Sequence, residues 1–179
     1  MKIIKFLLGA ALGVVLILVA IGFFLPSRWH VERSVVIKAG PERIYPLIAN
    51  MKEGWPQWSA FDKEDPNIKY SYSGPAVGDG SSRSWVSSKM GNGIQKITKA
   101  DPKSGIDFEI SMDNGGFVMF GSITMEKDPA GTKVTWRDGG DMGANPVYKI
   151  MGYLMDPMMG KTLQQSLDRL KDQIEVSNP

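Results

Sequence analysis

Cysteine is absent from this chain, and histidine occurs once, at His30. Without a thiol there is no disulfide, no cysteine nucleophile and no Cys-ligated zinc or iron–sulfur site. One imidazole cannot build a multi-histidine metal centre, and it leaves a histidine-dependent triad a single candidate base. Charge of one sign is just as scarce. Over 179 residues, 21 basic and 19 acidic side chains give a formal net charge of +2. Setting aside Lys2, Lys5 and Arg28 leaves 18 basic against 19 acidic groups, so the rest of the chain is nearly neutral. No polybasic surface for nucleic acid or anionic lipid is visible. No nucleic-acid partner, metal or cofactor is expected. The length suits one globular domain, and a hydrophobic fraction of 42% is enough for a core.

What the sequence does have is one long apolar run. Phe6 to Leu25 reads FLLGAALGVVLILVAIGFFL, without a charge. At about 1.5 Å per residue this run spans roughly 30 Å as a helix, the thickness of a bilayer's hydrocarbon core. A competing reading is a cleaved signal peptide, with Ala20-Ile21-Gly22 as a small-x-small site. Phe23-Phe24-Leu25 extends the run to full spanning length, which favours an uncleaved anchor. The expected organisation is an anchor and short linker over residues 1–28 and a domain over 29–179. Basic residues flank the run on both sides, so the positive-inside count assigns no orientation. Trp29 and His30, at the membrane exit, read as interfacial.

Beyond the run, His30 to Ala39 is rich in β-branched residues and ends at Gly40-Pro41, which predicts a first strand. Pro41 suits the first turn of a short helix, and Trp55-Pro56-Gln57-Trp58 a second. Segments 68–73, 82–89, 94–100, 106–112, 117–126 and 132–138 are short and partly alternating, and turn residues such as Asp113-Asn114-Gly115-Gly116 separate them. Tight connections predict an antiparallel meander. Ile106, Phe108, Ile110 and Met112 alternate with polar residues, as do Val134 and Trp136, so one sheet face is apolar and needs a cover. The C-terminal segment supplies it. Asn145-Pro146 and Asp156-Pro157 read as helix starts, with a kink at Pro157. Met151, Met155, Met158, Met159, Leu163, Leu167, Leu170 and Ile174 form an apolar stripe.

Strand, two short helices, six strands and a long helix is the helix-grip order. Val31-Glu32-Arg33-Ser34-Val35-Val36-Ile37-Lys38-Ala39, Pro41-Glu42-Arg43-Ile44-Tyr45 and Trp55-Pro56-Gln57-Trp58-Ser59 resemble the opening of the SRPBCC superfamily. The match is to its polyketide cyclase/dehydrase-type branch, related to START lipid-transfer domains. Tyr72-Ser73-Gly74-Pro75, Gly78-Asp79-Gly80, Gly131 through Trp136 and Gly160-Lys161 through Leu170 continue it, so it covers residues 30–175. The resemblance implies an α+β helix-grip fold, with a curved antiparallel sheet of about seven strands around the C-terminal helix and a deep apolar cavity. It carries no universal catalytic motif, so no catalytic residue follows from it.

Ten side chains are the candidates for lining such a cavity: Trp58, Phe61, Trp85, Phe108, Phe117, Met119, Trp136, Met151, Met155 and Met158. Aromatics offer large apolar walls, and flexible thioethers adapt to varied apolar ligands, although any one of them also serves as ordinary core. The acidic residues Asp62, Glu64, Asp65, Asp113, Asp138, Asp141 and Asp156 read mostly as turn or cap residues. Gly78/Gly80 and Gly91/Gly93 precede no helix and read as turn glycines. The expected function is membrane-anchored binding of a lipid or isoprenoid-like molecule, with the bilayer as second partner through Phe6–Leu25. The alternative is an enzyme of cyclase, dehydratase or hydrolase type in the same cavity. A scaffold with a collapsed cavity is a third class. A buried ionisable residue with a shifted pKa inside the cavity would favour the enzyme, and apolar walls with an opening would suit a carrier.

Overall fold

The computed structural model describes residues 2–176. Lys2–Phe24 forms α1, a helix long and apolar enough to cross a membrane by length and composition. Leu25, Pro26 and Ser27 lead directly into β1, Arg28–Ile37. Two short helices follow, α2 over Pro41–Ile48 and α3 over Trp55–Trp58, and then a 3-10 turn at Phe61–Lys63. Six strands complete the sheet: β2 (Lys69–Ser73), β3 (Ser82–Val86), β4 (Gly93–Asp101), β5 (Gly105–Met112), β6 (Phe117–Asp128) and β7 (Gly131–Asp141). The long helix α4 closes the chain at Pro146–Val176.

The sheet order is β1-β7-β6-β5-β4-β3-β2, antiparallel throughout. The α2–α3 segment carries the chain from one edge strand to the other, and a meander then returns it until β7 pairs with β1. Strand period sets the inner face. Trp29, Val31 and Ile37 point inward on β1 and are buried, while His30, Glu32 and Ser34 alternate outward. The same parity puts Val134, Trp136 and Asp138 on the inner face of β7.

The core divides into two parts along α4. Leu163, Leu167, Leu170 and Ile174 pack the C-terminal half of the helix against the sheet. Deeper in, Trp55 and Trp58 of α3 form a cluster of indoles with Trp136 of β7. Trp55 meets Trp58, Trp136 and Phe108 at centroid distances of 4.7, 5.4 and 5.7 Å, and Trp58 meets Trp136 at 5.4 Å. Their polar edges are satisfied. Trp55 Nε1 donates to the Ile48 carbonyl at 2.7 Å, and Trp58 Nε1 donates to that of Leu47 at 3.1 Å. Edge-to-face rings of this kind add order 1 kcal/mol per pair beyond their buried area.

Two expectations change here. Trp29 is not interfacial. It is 7% exposed and stacks on Phe117 at 6.3 Å, because the inward parity of β1 turns its indole beneath α4. Nor do Asp156 and Pro157 restart a helix, since α4 runs unbroken through both. Arg33 holds that turn from the sheet, with its guanidinium donating to Asp156 Oδ1 at 2.8 Å. A Cβ on Gly160 would overlap that guanidinium, so the glycine is what lets Arg33 pass.

Candidate functional site

A cavity of about 400 Å³ lies between the inner face of the sheet and the first half of α4. That size falls within the roughly 300–1,000 Å³ usual for small-molecule sites. Sulphur and aromatic carbon make most of its wall. Met155, Met158 and Met159 descend from α4, Met112 and Met119 rise from β5 and β6, and Met90 comes from the β3–β4 loop. Trp136, Phe61, Trp85 and Ile110 complete the apolar surface. Met158 is 68% exposed although it lines the cavity, which places the mouth under this turn of α4.

Two strand positions without side chains shape the packing around the cavity. A Cβ on Gly121 would lie 2.2 Å from the Phe108 ring and 2.4 Å from Asp138 Oδ1. A Cβ on Gly93 would lie 2.3 Å from Trp85 Cζ2. The two glycines let a phenyl ring, a carboxyl and an indole lie across the neighbouring strand.

A polar band interrupts the apolar wall. The Arg83 Nη1 group donates to both oxygens of Asp62 at 2.9 Å, and Arg83 Nε donates to Gln95 Oε1 at 2.9 Å. Tyr70 donates its hydroxyl to Asp62 Oδ1 at 3.0 Å, and the guanidinium lies 4.7 Å from the centre of the Trp55 ring. The ion pair is buried, its side chains 6% and 4% exposed. Burial, reinforced by the Asp62 charge, holds the Tyr70 hydroxyl well above the ordinary phenol range.

Asp138 stands apart from that band. It is 2% exposed, lines the cavity and has no ion-pair partner among the described residues. Trp136 Nε1 donates to its Oδ1 at 2.9 Å. Burial pushes the carboxyl up from 3.8 to about 7, against the opposing pull of that hydrogen bond. Near neutrality it holds its proton part of the time, as a general acid or base must.

Six of the ten expected side chains line this cavity: Phe61, Trp85, Met119, Trp136, Met155 and Met158. The other four lie elsewhere for identifiable reasons. Trp58 is fully buried behind Trp136, and Phe108 is folded into the niche above Gly121, edge-on to Trp55. Phe117 is occupied by Trp29. Met151 is 50% exposed, because α4 approaches the sheet there through Gly152, packed on Met142 and Trp29.

The acidic residues divide differently from the turn-and-cap expectation. Asp62 and Asp138 line the cavity, whereas Asp65 caps a turn as expected, its Oδ1 accepting from Asn67 N at 2.9 Å while Oδ2 accepts from Ser87 Oγ at 2.7 Å. Asp141 does hold a turn, accepting from Gly143 N at 2.8 Å. Arg83, Gln95 and Asp138 were legible by parity, since each is two residues from an inward-facing apolar side chain: Trp85, Ile97 and Trp136. The strand expected over 132–138 runs on through Gly139 and Gly140 to Asp141. Among the described residues no cluster of His, Asp or Glu could hold a metal ion.

No curated protein matches this chain in sequence. Solved structures match it in fold. An uncharacterised protein from Rhizobium leguminosarum superposes with a TM-score of 0.58 at 15% identity, covering 83% of this chain and 95% of that one. A protein from Mesorhizobium loti gives 0.59 at 12% identity, covering 84% and 98%. DynU16, from the dynemicin biosynthetic locus, gives 0.57 at 14% identity, covering 84% of this chain and 48% of its own length. The sheet that grips α4, the cavity beneath it and a match over residues 28–175 together make this chain a member of the polyketide cyclase/dehydrase and lipid transport family, within the SRPBCC superfamily.

Proposed function

We propose that this protein binds a hydrophobic small molecule, lipid or isoprenoid-like in its bulk, in the cavity beneath α4, and that Phe6–Leu25 anchors it in a bilayer. The observation that carries the reading is a cavity of about 400 Å³ whose wall is largely methionine and aromatic side chains. Empty apolar space of this size forfeits dispersion contacts, so a ligand that fills it is stabilised by burial on the order of 25 cal/mol per Å². Residues 1–28 would then serve as anchor and linker, and 29–179 as the binding domain.

Packing between α1 and α4 supports the anchored arrangement. Gly22 lies against Pro146, and Lys149 Nζ donates to the Phe23 carbonyl at 3.4 Å. The start of α4 therefore sits beside the end of α1. Its exposed Val147, Tyr148, Tyr153 and Leu154 would rest at the lipid interface, close to the mouth marked by Met158.

Asp138 favours a second reading, in which the bound molecule is also turned over. A carboxyl near neutral pKa inside an apolar cavity can move a proton, which a pure carrier does not need. Native mass spectrometry of the gently extracted full chain tests the first reading. A retained small molecule is the expected result, and a protein that releases only solvent, even from its native membrane, would count against it.

A further inference from the structure

The polar atoms of the cavity wall are not all partnered. Gln95 is 1% exposed, and its Oε1 accepts from Arg83 Nε. Arginine nitrogens only donate, so this contact fixes the amide oxygen toward Arg83 and turns Nε2 away from it. Gln95 Nε2 is buried without a hydrogen-bond partner among the described residues, and so is Trp85 Nε1. The two side chains are diagonal neighbours on one sheet face, since Arg83 pairs with Gln95 and Trp85 with Gly93. Native folds rarely leave buried donors unpaired, and here two stand together on the wall of one cavity.

Charge and donor count on this stretch of wall select the acceptor. The Arg83 guanidinium is committed to Asp62, and the other titratable lining groups, Tyr70 and Asp138, add no positive charge. An anionic ligand would be buried without a counter-ion. A hydroxyl brings a proton of its own to a stretch of wall where donors already outnumber acceptors: two unpartnered N–H groups stand beside one amide oxygen that accepts from Arg83 Nε. A carbonyl oxygen brings two lone pairs and nothing to donate. We propose that the cavity takes neutral, largely apolar carbonyl compounds (ketones, aldehydes or esters), with the carbonyl oxygen held by the N–H groups of Trp85 and Gln95. This rests on the reading of the cavity as a ligand site and names the class of ligand.

The test compares 2-acetylnaphthalene with 2-ethylnaphthalene, two probes of similar size and shape that differ by the carbonyl. Each is titrated calorimetrically into the full chain in detergent micelles, as wild type, Trp85→Phe and Gln95→Leu. Partition into the micelle is common to all three proteins and cancels in the ketone-to-hydrocarbon affinity ratio. That ratio is expected to fall about fivefold in each variant, while hydrocarbon affinity stays within about twofold. Trp85→Phe keeps a ring over Gly93, so it carries the test if Gln95→Leu, which strands Arg83 Nε, does not fold. An unchanged ratio in Trp85→Phe, with both probes bound, overturns the carbonyl assignment and leaves the cavity reading intact. If neither probe binds the wild type, the cavity reading fails and this inference fails with it.

Discussion

A single carboxyl makes the stability of this fold depend on pH in an unusual direction. Asp138 titrates near 7 in the folded protein and near 3.8 in the unfolded chain. Below 3.8 both states hold the proton, and the folded state carries no penalty. Between 3.8 and 7 the unfolded chain has lost its proton while the native protein keeps it, so stability falls as pH rises. Above 7 the loss is complete, and it amounts to about 4 kcal/mol by the linkage of pKa to free energy. Asp138→Asn keeps an acceptor for Trp136 Nε1 and removes the titration. The variant is expected to match wild type at pH 4 and to exceed it at pH 8 by a few kcal/mol in denaturant unfolding. An identical pH slope in both proteins would mean that Asp138 is ionised and solvated in the native state.

At the scale of elements, the strands were legible because turn chemistry bounds them. Gly105, Gly115 and Gly131 all adopt positive φ, and each lies at or beside a strand end that the sequence predicts within a few residues. The packing around the cavity was less legible, because it depends on where side chains are missing. Gly93 reads as a turn glycine, yet it pairs with Trp85 inside the sheet. The helical stripe was legible as a stripe but not as two functions. From Leu163 onward it is core, whereas Met155, Met158 and Met159 face open space. Met155 and Met151 lie one turn apart and provide a matched test. Met155→Trp places an indole in the void, where filling costs little, while in a dense core overpacking would cost about 1–3 kcal/mol. The expected outcome is a melting temperature within a few degrees of wild type with loss of 2-acetylnaphthalene binding. Met151→Trp, on a half-exposed site outside the cavity, is expected to change neither. A sharp fall in melting temperature for Met155→Trp with binding intact would show solid packing at that turn.

For the whole molecule, the spacing between α1 and the sheet carries the most consequence. Only Leu25, Pro26 and Ser27 separate the end of α1 from the start of β1. Fully extended, such a link reaches about 10 Å, so an anchored domain is held at the headgroups. The Lys149–Phe23 contact draws the start of α4 to the same level. The apolar run and the short link were both legible in the sequence. The placement of α4 against α1 was not, because it depends on where β7 returns the chain after the meander. A ligand leaving the bilayer would then have little water to cross before reaching Met158. Inserting a long flexible Gly/Ser segment between Ser27 and Arg28 separates the two levels without touching the cavity. In vesicles carrying a hydrophobic fluorescent ketone, the insertion is expected to slow transfer from membrane to protein severalfold. Binding of the same probe supplied from water should be unchanged. Equal transfer rates with and without the insertion would show that the ligand arrives through solvent, and that the short link serves only to tether the domain.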